Sequence, residues 1–183
     1  AKVSLPIPGS FAVSNGLTVL GLAAVLGIPL SQAAAALSEA KGVKGRLEVV
    51  PTPGKPYTVL IDYAHTPDGL ENVLSSVKGY CKGRLIAVFG CGGDRDPLKR
   101  PIMGAIGAKY ADVCIVTSDN PRTEDPEAII KQILAGMPEN SYIAIENRPK
   151  AIGYALDIAK KNDIIVLAGK GHETYQEING VKR

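Results

Sequence analysis

A chain of 183 residues with 45% hydrophobic and 21% charged residues has ordinary globular composition, which argues against disorder. Lys and Arg total 21 against 18 for Asp and Glu, a net charge of +3 that supplies no basic stripe for nucleic acid. Three cysteines (Cys81, Cys91, Cys114) without C-x-x-C spacing signal neither a disulfide framework nor a zinc site.

The start, Ala1 to Pro6, lacks the apolar core of a secretory leader. Leu17 to Leu30 is apolar but broken by Gly21, Gly27 and Pro29, too short and interrupted to span a bilayer. A soluble cytosolic α/β protein is the expectation. Asn15 to Leu26 reads as a helix with Val19, Leu22, Ala23 and Leu26 on one face, closed by Gly27. Ser31 is placed to cap a second, Ala-rich helix running to about Ala40. Leu47 to Val50 and Thr58 to Ile61 read as a hairpin or two sheet-edge strands.

From Pro67 onward strands and helices alternate. Leu70, Val73, Leu74 and Val77 form a helical stripe, and Leu85 to Phe89 is an apolar run suited to a strand buried on both faces. Pro101 suits a first helical turn, with Ile102, Met103, Ile106 and Tyr110 along one side. Val113 to Thr117, a helix around Ile129 to Leu134, Tyr142 to Ile145, a helix over Ala151 to Lys160, and Ile164 to Ala168 complete the series. This alternation predicts a Rossmann-like, doubly wound, mostly parallel sheet over residues 67–183. Residues 1–66 read as the tail of a larger α/β domain whose beginning is absent.

Ligands of such sheets bind beyond the carboxyl ends of the strands. Three such ends carry Gly90 to Asp96, Ser118 to Arg122 and Gly169 to Glu173, bringing Arg95, Asp119, Arg122, Lys170, His172 and Glu173 to one edge. Guanidinium forks take carboxylates and Asp or Glu accept from ammonium, so the set suits a small zwitterion. The alternative is turn punctuation with solvated charges. Neither G-x-G-x-x-G nor a G-x-x-x-x-G-K-[ST] phosphate loop occurs, so a nucleotide's main phosphate cradle would lie elsewhere. Cys91 reads as a small turn residue, and His65 and His172 lack ligand spacing, so no metal site is expected.

Asp62-Tyr63-Ala64-His65-Thr66-Pro67, Gly92-Gly93-Asp94-Arg95-Asp96, Lys99-Arg100-Pro101, Asp119-Asn120-Pro121-Arg122 and Gly169-Lys170-Gly171-His172-Glu173 occur in an order and spacing similar to the Mur ligases. The resemblance extends over Gly45 to Glu48 and Phe11 to Asn15, hence nearly the whole chain. It implies that residues 1–66 end a central ATP-binding domain and residues 67–183 form most of an amino-acid-binding domain. Asn15, Arg46, Asp62 and His65 then match nucleotide-side positions, with Arg46 and Asp62 also catalytic. Arg95, Asp119, Asn120, Arg122, Gly169 and Glu173 match the amino-acid pocket. In this family the Asp-Asn-Pro-Arg form goes with meso-diaminopimelate rather than L-lysine.

The implied parent is an ATP-dependent amide ligase adding meso-diaminopimelate to UDP-N-acetylmuramoyl-L-alanyl-D-glutamate. Its ATP and Mg2+ would be bound mainly by residues outside this chain, and the piece alone would be inactive. Rival readings are a related or folylpolyglutamate-type ligase with another acceptor such as L-lysine, and a non-catalytic amino-acid or nucleotide-binding module. Two finer expectations concern single residues. Asp62 serves the nucleotide unless it caps the helix opening at Pro67. Pro121 pre-aims Arg122 at the distal carboxylate of the ligand.

Overall fold

The computed structural model describes residues 3–5 and 9–183, so Ala1, Lys2 and Pro6 of the Ala1 to Pro6 start lie outside the described residues. Two helices, α1 (Ser10–Val25) and α2 (Leu30–Ser38), lead into strands β1 (Glu48–Val50) and β2 (Thr58–Asp62). The alternating region follows as α3 (Pro67–Lys78), β3 (Leu85–Phe89), α4 (Lys99–Tyr110), β4 (Val113–Val116), α5 (Pro126–Leu134), β5 (Ile143–Ala144), α6 (Arg148–Ile158) and β6 (Ile164–Ala168). A short hairpin, β7 (Glu177–Ile178) and β8 (Val181–Lys182), closes the chain and was not expected from sequence.

Six strands form one sheet in the order β1-β2-β6-β3-β4-β5. All neighbours are parallel except the β1–β2 pair. Helices α3, α4 and α5 cover one face, where Leu70, Leu74, Met103 and Ile133 pack with Leu85, Ala87 and Phe89. Helix α6 covers the other, Ala151 and Ala155 lying with Ile86, Val88 and Ile165. Every β3 side chain is therefore buried, as its unbroken apolar run predicts.

The helix starts follow local chemistry. Thr66 caps α3 by accepting from Gly69 N, with Pro67 next and Lys78 in the last turn. Asp125 and Asn147 cap α5 and α6, each accepting from a backbone N–H of the first turn. Helix α6 thus spans Arg148–Ile158 rather than Ala151 to Lys160.

Three further expectations change. Helix α1 begins at Ser10, and Val19, Leu22 and Leu26 are 47%, 58% and 65% exposed, because apolar residues occur all round the helix and α2 covers little of it. Pro29, not Ser31, occupies the N-cap position of α2. Ile102 is half exposed, one residue off the Met103–Ile106 stripe that meets the core.

Strands β1 and β2 also belong to this sheet: β2 pairs residue by residue with β6 from Thr58–Ile164 to Asp62–Ala168. Leu47 and Leu60 share the core with α3, so the packed unit runs continuously across residue 66.

At the amino edge of the sheet, buried Asp163 accepts from Arg84 N (2.8 Å), Nε (3.1 Å) and Nη2 (2.7 Å) and from Lys160 N (2.9 Å). Asp112 accepts from Lys78 Nζ (2.6 Å) and Leu85 N (2.7 Å). Burial pushes both carboxyls up, but these donors win and hold them below the usual aspartate range.

Candidate functional site

The loops after β2, β3, β4 and β6 meet at the carboxyl edge and enclose a cleft of about 360 Å3. Arg95, Asp119, Asn120, Arg122, Gly169 and Glu173 all line it, together with Tyr63, His65, Thr66 and Lys99. The sheet order explains the convergence. Strand β6 lies between β2 and β3, so Gly169–Glu173 emerges beside Gly90–Asp96 and Ser118–Arg122.

Asp119, Asn120 and Glu173 form one network around Lys170. Lys170 Nζ donates to Asn120 Oδ1 (2.7 Å) and Tyr175 O (2.7 Å), and lies 3.3 Å from Asp119 Oδ1. Asn120 Oδ1 also accepts from Glu177 N (2.9 Å), which leaves its amide nitrogen to donate to Glu173 Oε2 (2.9 Å). Burial raises the Glu173 carboxyl, but the Asn120 amide and Lys170 ammonium outweigh it, so Glu173 sits below the usual range. Gly169 has φ 108°, and a Cβ there would come within 2.7 Å of Asp119 Oδ2, so only glycine leaves this wall open.

The cations are arranged differently. Arg95 is exposed, its Nη1 donating to Asp94 O (2.9 Å), with no carboxylate partner among the described residues. Arg122 donates from Nη1 to Gly93 O (2.8 Å), and its Nε lies 3.4 Å from Glu177 Oε2. Its backbone is left-handed, φ 51°, an uncommon state for arginine. The β7–β8 hairpin holds it there: Arg122 N donates to Glu177 O (3.0 Å) and Asn179 N to Arg122 O (2.8 Å). Hairpin docking thus fixes the Arg122 backbone through both its N–H and its carbonyl.

Beneath the loops, Arg100 is 1% exposed and grips Glu124 through both terminal nitrogens at 2.8 Å, while Nη2 also donates to Gly92 O (3.2 Å). The Glu124 hydrogen bonds raise the Arg100 guanidinium and lower the Glu124 carboxyl, a bidentate pair that fixes the Gly92–Asp94 turn. Arg148, buried at the start of α6, donates to Ala168 O (2.8 Å) and Ser118 O (3.4 Å) and ties two strand ends together. In the sequence Arg100 is marked only by the Lys99-Arg100-Pro101 motif, with no role assigned, and Arg148 does not stand out, since nothing separates a buried guanidinium from a solvated one before its partners are placed. Cys91 is buried, which pushes its thiol up to about 12 and leaves it inert, as its small-turn reading expects.

The nucleotide-side candidates are less united. Arg46, Asp62 and His65 line a smaller hollow of about 260 Å3 that shares Tyr63, His65 and Thr66 with the cleft. Exposed Arg46 lies over the Tyr63 ring (4.8 Å), His65 meets its edge and His172 stacks on it. Asp62 is buried and accepts from Leu47 N and Ala64 N, both at 2.8 Å. It is not the α3 cap, since Thr66 fills that role. Asn15 sits exposed on α1, and the structure does not bring it to either hollow. Among the described residues no cluster of three or more His, Cys, Asp or Glu could hold a metal, and no helix is long and apolar enough to cross a membrane.

Fold and cleft together define a doubly wound α/β domain with a cleft lined by charged residues at its carboxyl edge. Residues 45–171 match the family model described as Mur ligase, glutamate ligase domain, and the chain belongs to that family. It is 53% identical over 182 residues to the UDP-N-acetylmuramoyl-L-alanyl-D-glutamate--2,6-diaminopimelate ligase of Clostridioides difficile (strain 630), covering 98% of this chain and 37% of that protein. The ligase of the same name from Caldanaerobacter subterraneus subsp. tengcongensis is 55% identical over 179 residues, covering 97% of this chain and 37% of that one. A solved structure of such a ligase superposes with TM-score 0.76 at 42% identity, over 99% of this chain and 37% of the other. A Mycobacterium tuberculosis folylpolyglutamate synthase complexed with ADP and AMPPCP shares the fold, with TM-score 0.72 at 24% identity over 92% of this chain and 39% of that one. The chain therefore spans little more than a third of the length of these relatives.

Proposed function

We propose that this chain is the acceptor-binding part of an ATP-dependent ligase that joins meso-diaminopimelate to UDP-N-acetylmuramoyl-L-alanyl-D-glutamate in cytoplasmic peptidoglycan precursor synthesis. The observation that carries the reading is the convergence of Arg95, Asp119, Asn120, Arg122, Gly169 and Glu173 on one cleft. Asp119 and Glu173 receive a ligand ammonium, and Arg95 and Arg122 take carboxylates. Their contribution is orientation of the attacking amine rather than covalent chemistry. A site in which Arg122 takes a second carboxylate favours diaminopimelate over lysine, which offers the guanidinium no carboxylate beyond its contacts with Gly93 O and Glu177.

Exposed Arg46 and His65, on the neighbouring hollow, fit an anionic phosphate. Asp62 fits only as the support of the Arg46–Leu47 turn, because both its oxygens are already engaged. The described residues do not by themselves suit magnesium. ATP and Mg2+ would supply activation of the dipeptide carboxylate while held mainly by parts of the enzyme beyond this chain. Calorimetry of the chain with meso-diaminopimelate and with L-lysine tests the reading: saturable heat with the first and little with the second is expected. Equal binding of both overturns the assignment of Arg122, and binding of neither overturns the cleft.

A further inference from the structure

Lys170 is 9% exposed, and groups from the loop after β4 and from its own loop meet at its ammonium. It donates to Asn120 Oδ1 and Tyr175 O, each at 2.7 Å, and lies 3.3 Å from Asp119 Oδ1 and 3.4 Å from Glu173 Oε2. We propose that Lys170 is the positioning residue of the cleft, an ammonium set behind Asp119 and Glu173 that holds the two carboxylates together as a receptor for one ligand ammonium. The inference rests on the amino-acid reading of the cleft.

Two carboxylates converging on one point repel, and without a counter-charge they separate or one takes up a proton. Lys170 offsets one of the two charges in direct contact and leaves the other carboxylate to a ligand ammonium, while the Arg148 guanidinium acts on both from further off. Lys170 also fixes the Asn120 amide that donates to Glu173. Through Tyr175 O it anchors the approach to the hairpin that holds Arg122. Both poles of the receptor thus depend on one buried side chain. The other charged or titratable groups around it are Arg148 of α6, which feels Asp119 and Glu173, His172, which acts on Glu173, and the Tyr175 ring at 5.8 Å.

The test is Lys170→Met in the 183-residue chain, which keeps the unbranched side chain to within one atom of its length and removes its charge. Calorimetry with meso-diaminopimelate should show affinity about 10- to 100-fold weaker near neutral pH, the usual range for charge-assisted contacts. The loss should grow on acidification, because Glu173 then protonates sooner. Carbon-13 NMR should show the Glu173 carboxyl titrating at higher pH than in the wild type. Unchanged affinity, or an unchanged Glu173 titration, overturns the proposal. Lys170→Arg, which also serves if the methionine variant does not fold, should keep the low Glu173 titration without restoring affinity, since a planar guanidinium cannot replace a compact ammonium at four acceptors. Full affinity in Lys170→Arg overturns the positioning role. Failure of the wild type to bind discards the amino-acid cleft, while the Glu173 titration still decides what Lys170 holds.

Discussion

The two edges of the sheet spend their charges in opposite ways. At the amino edge, Asp163 and Asp112 satisfy Arg84, Lys78 and three backbone N–H groups, closing strand starts and helix ends onto one another. At the carboxyl edge, Arg95 and Arg122 stand on a cleft, and the carboxylates opposite them share one lysine. Charge at the first edge is structural, whereas the second combines structural contacts, Arg100 with Glu124 and Arg148 with Ala168 O, with the cleft-lining side chains that our proposal gives to a ligand. The same residue types occur at both, so function follows from which side of the strands they leave.

The sharpest way to break this contrast is Asp163→Ala. Removing a buried carboxylate that answers Arg84 should cost about 3 kcal/mol, toward the low end for breaking buried pairs because Arg84 is partly exposed. The melting temperature should fall by roughly 10 °C for a chain of this size, and calorimetry should find unchanged affinity for meso-diaminopimelate. A comparable loss of affinity would mean that the edges are not independent.

The converse variant is Arg122→Ala. Losing a charge-assisted pair worth about 2–3 kcal/mol should weaken meso-diaminopimelate binding about 30- to 150-fold, leave L-lysine unaffected, and shift the melting temperature by less than about 3 °C. Arg122→Lys should not rescue, because an ammonium cannot form the fork.

Asp62→Asn lies between the two cases. Asparagine keeps one acceptor and loses the other, so Leu47 N or Ala64 N goes unsatisfied at about 1–2 kcal/mol, readable as a drop of a few degrees in calorimetric melting. An unchanged melting temperature would return Asp62 to the nucleotide side.

The smallest effect is on pH dependence. Asp163 has its folded carboxyl depressed, so its stabilisation is present above the ordinary aspartate value and is lost as pH falls through the folded one. Stability should therefore decline on acidification, and Asp163→Asn should decline less steeply than the wild type in melts taken across the acid range.

Much of this arrangement was legible in sequence. The unbroken run Leu85–Phe89, the stripe Leu70–Val77 and the helix start at Pro67 depend on local pattern, and each appears as read. The cleft residues were legible because the strand ends could be located and the motifs read. What escaped was set by partners far along the chain. Asp62 looks free until Leu47, 15 residues away, is folded onto it. Arg100 becomes a core residue only when Glu124 arrives, 24 residues on. The apolar pattern of α1 could not say which face would be covered, because apolar residues surround the helix. The β7–β8 hairpin has strands of two residues each, too short for any period to register.

The central place of β6 reaches beyond the site, into how the molecule is made. Strands β2 and β3 are neighbours of β6 and not of each other, so before residues 164–168 exist the chain carries two unjoined half-sheets, each with a bare edge. Closure waits for contacts between distant parts of the chain, which places this domain among slow folders. The strand that closes the sheet also delivers Gly169–Glu173, so the cleft cannot be complete before the sheet is. A ligand seated there binds only the completed sheet, and stabilises that state by an amount set by its concentration relative to its dissociation constant.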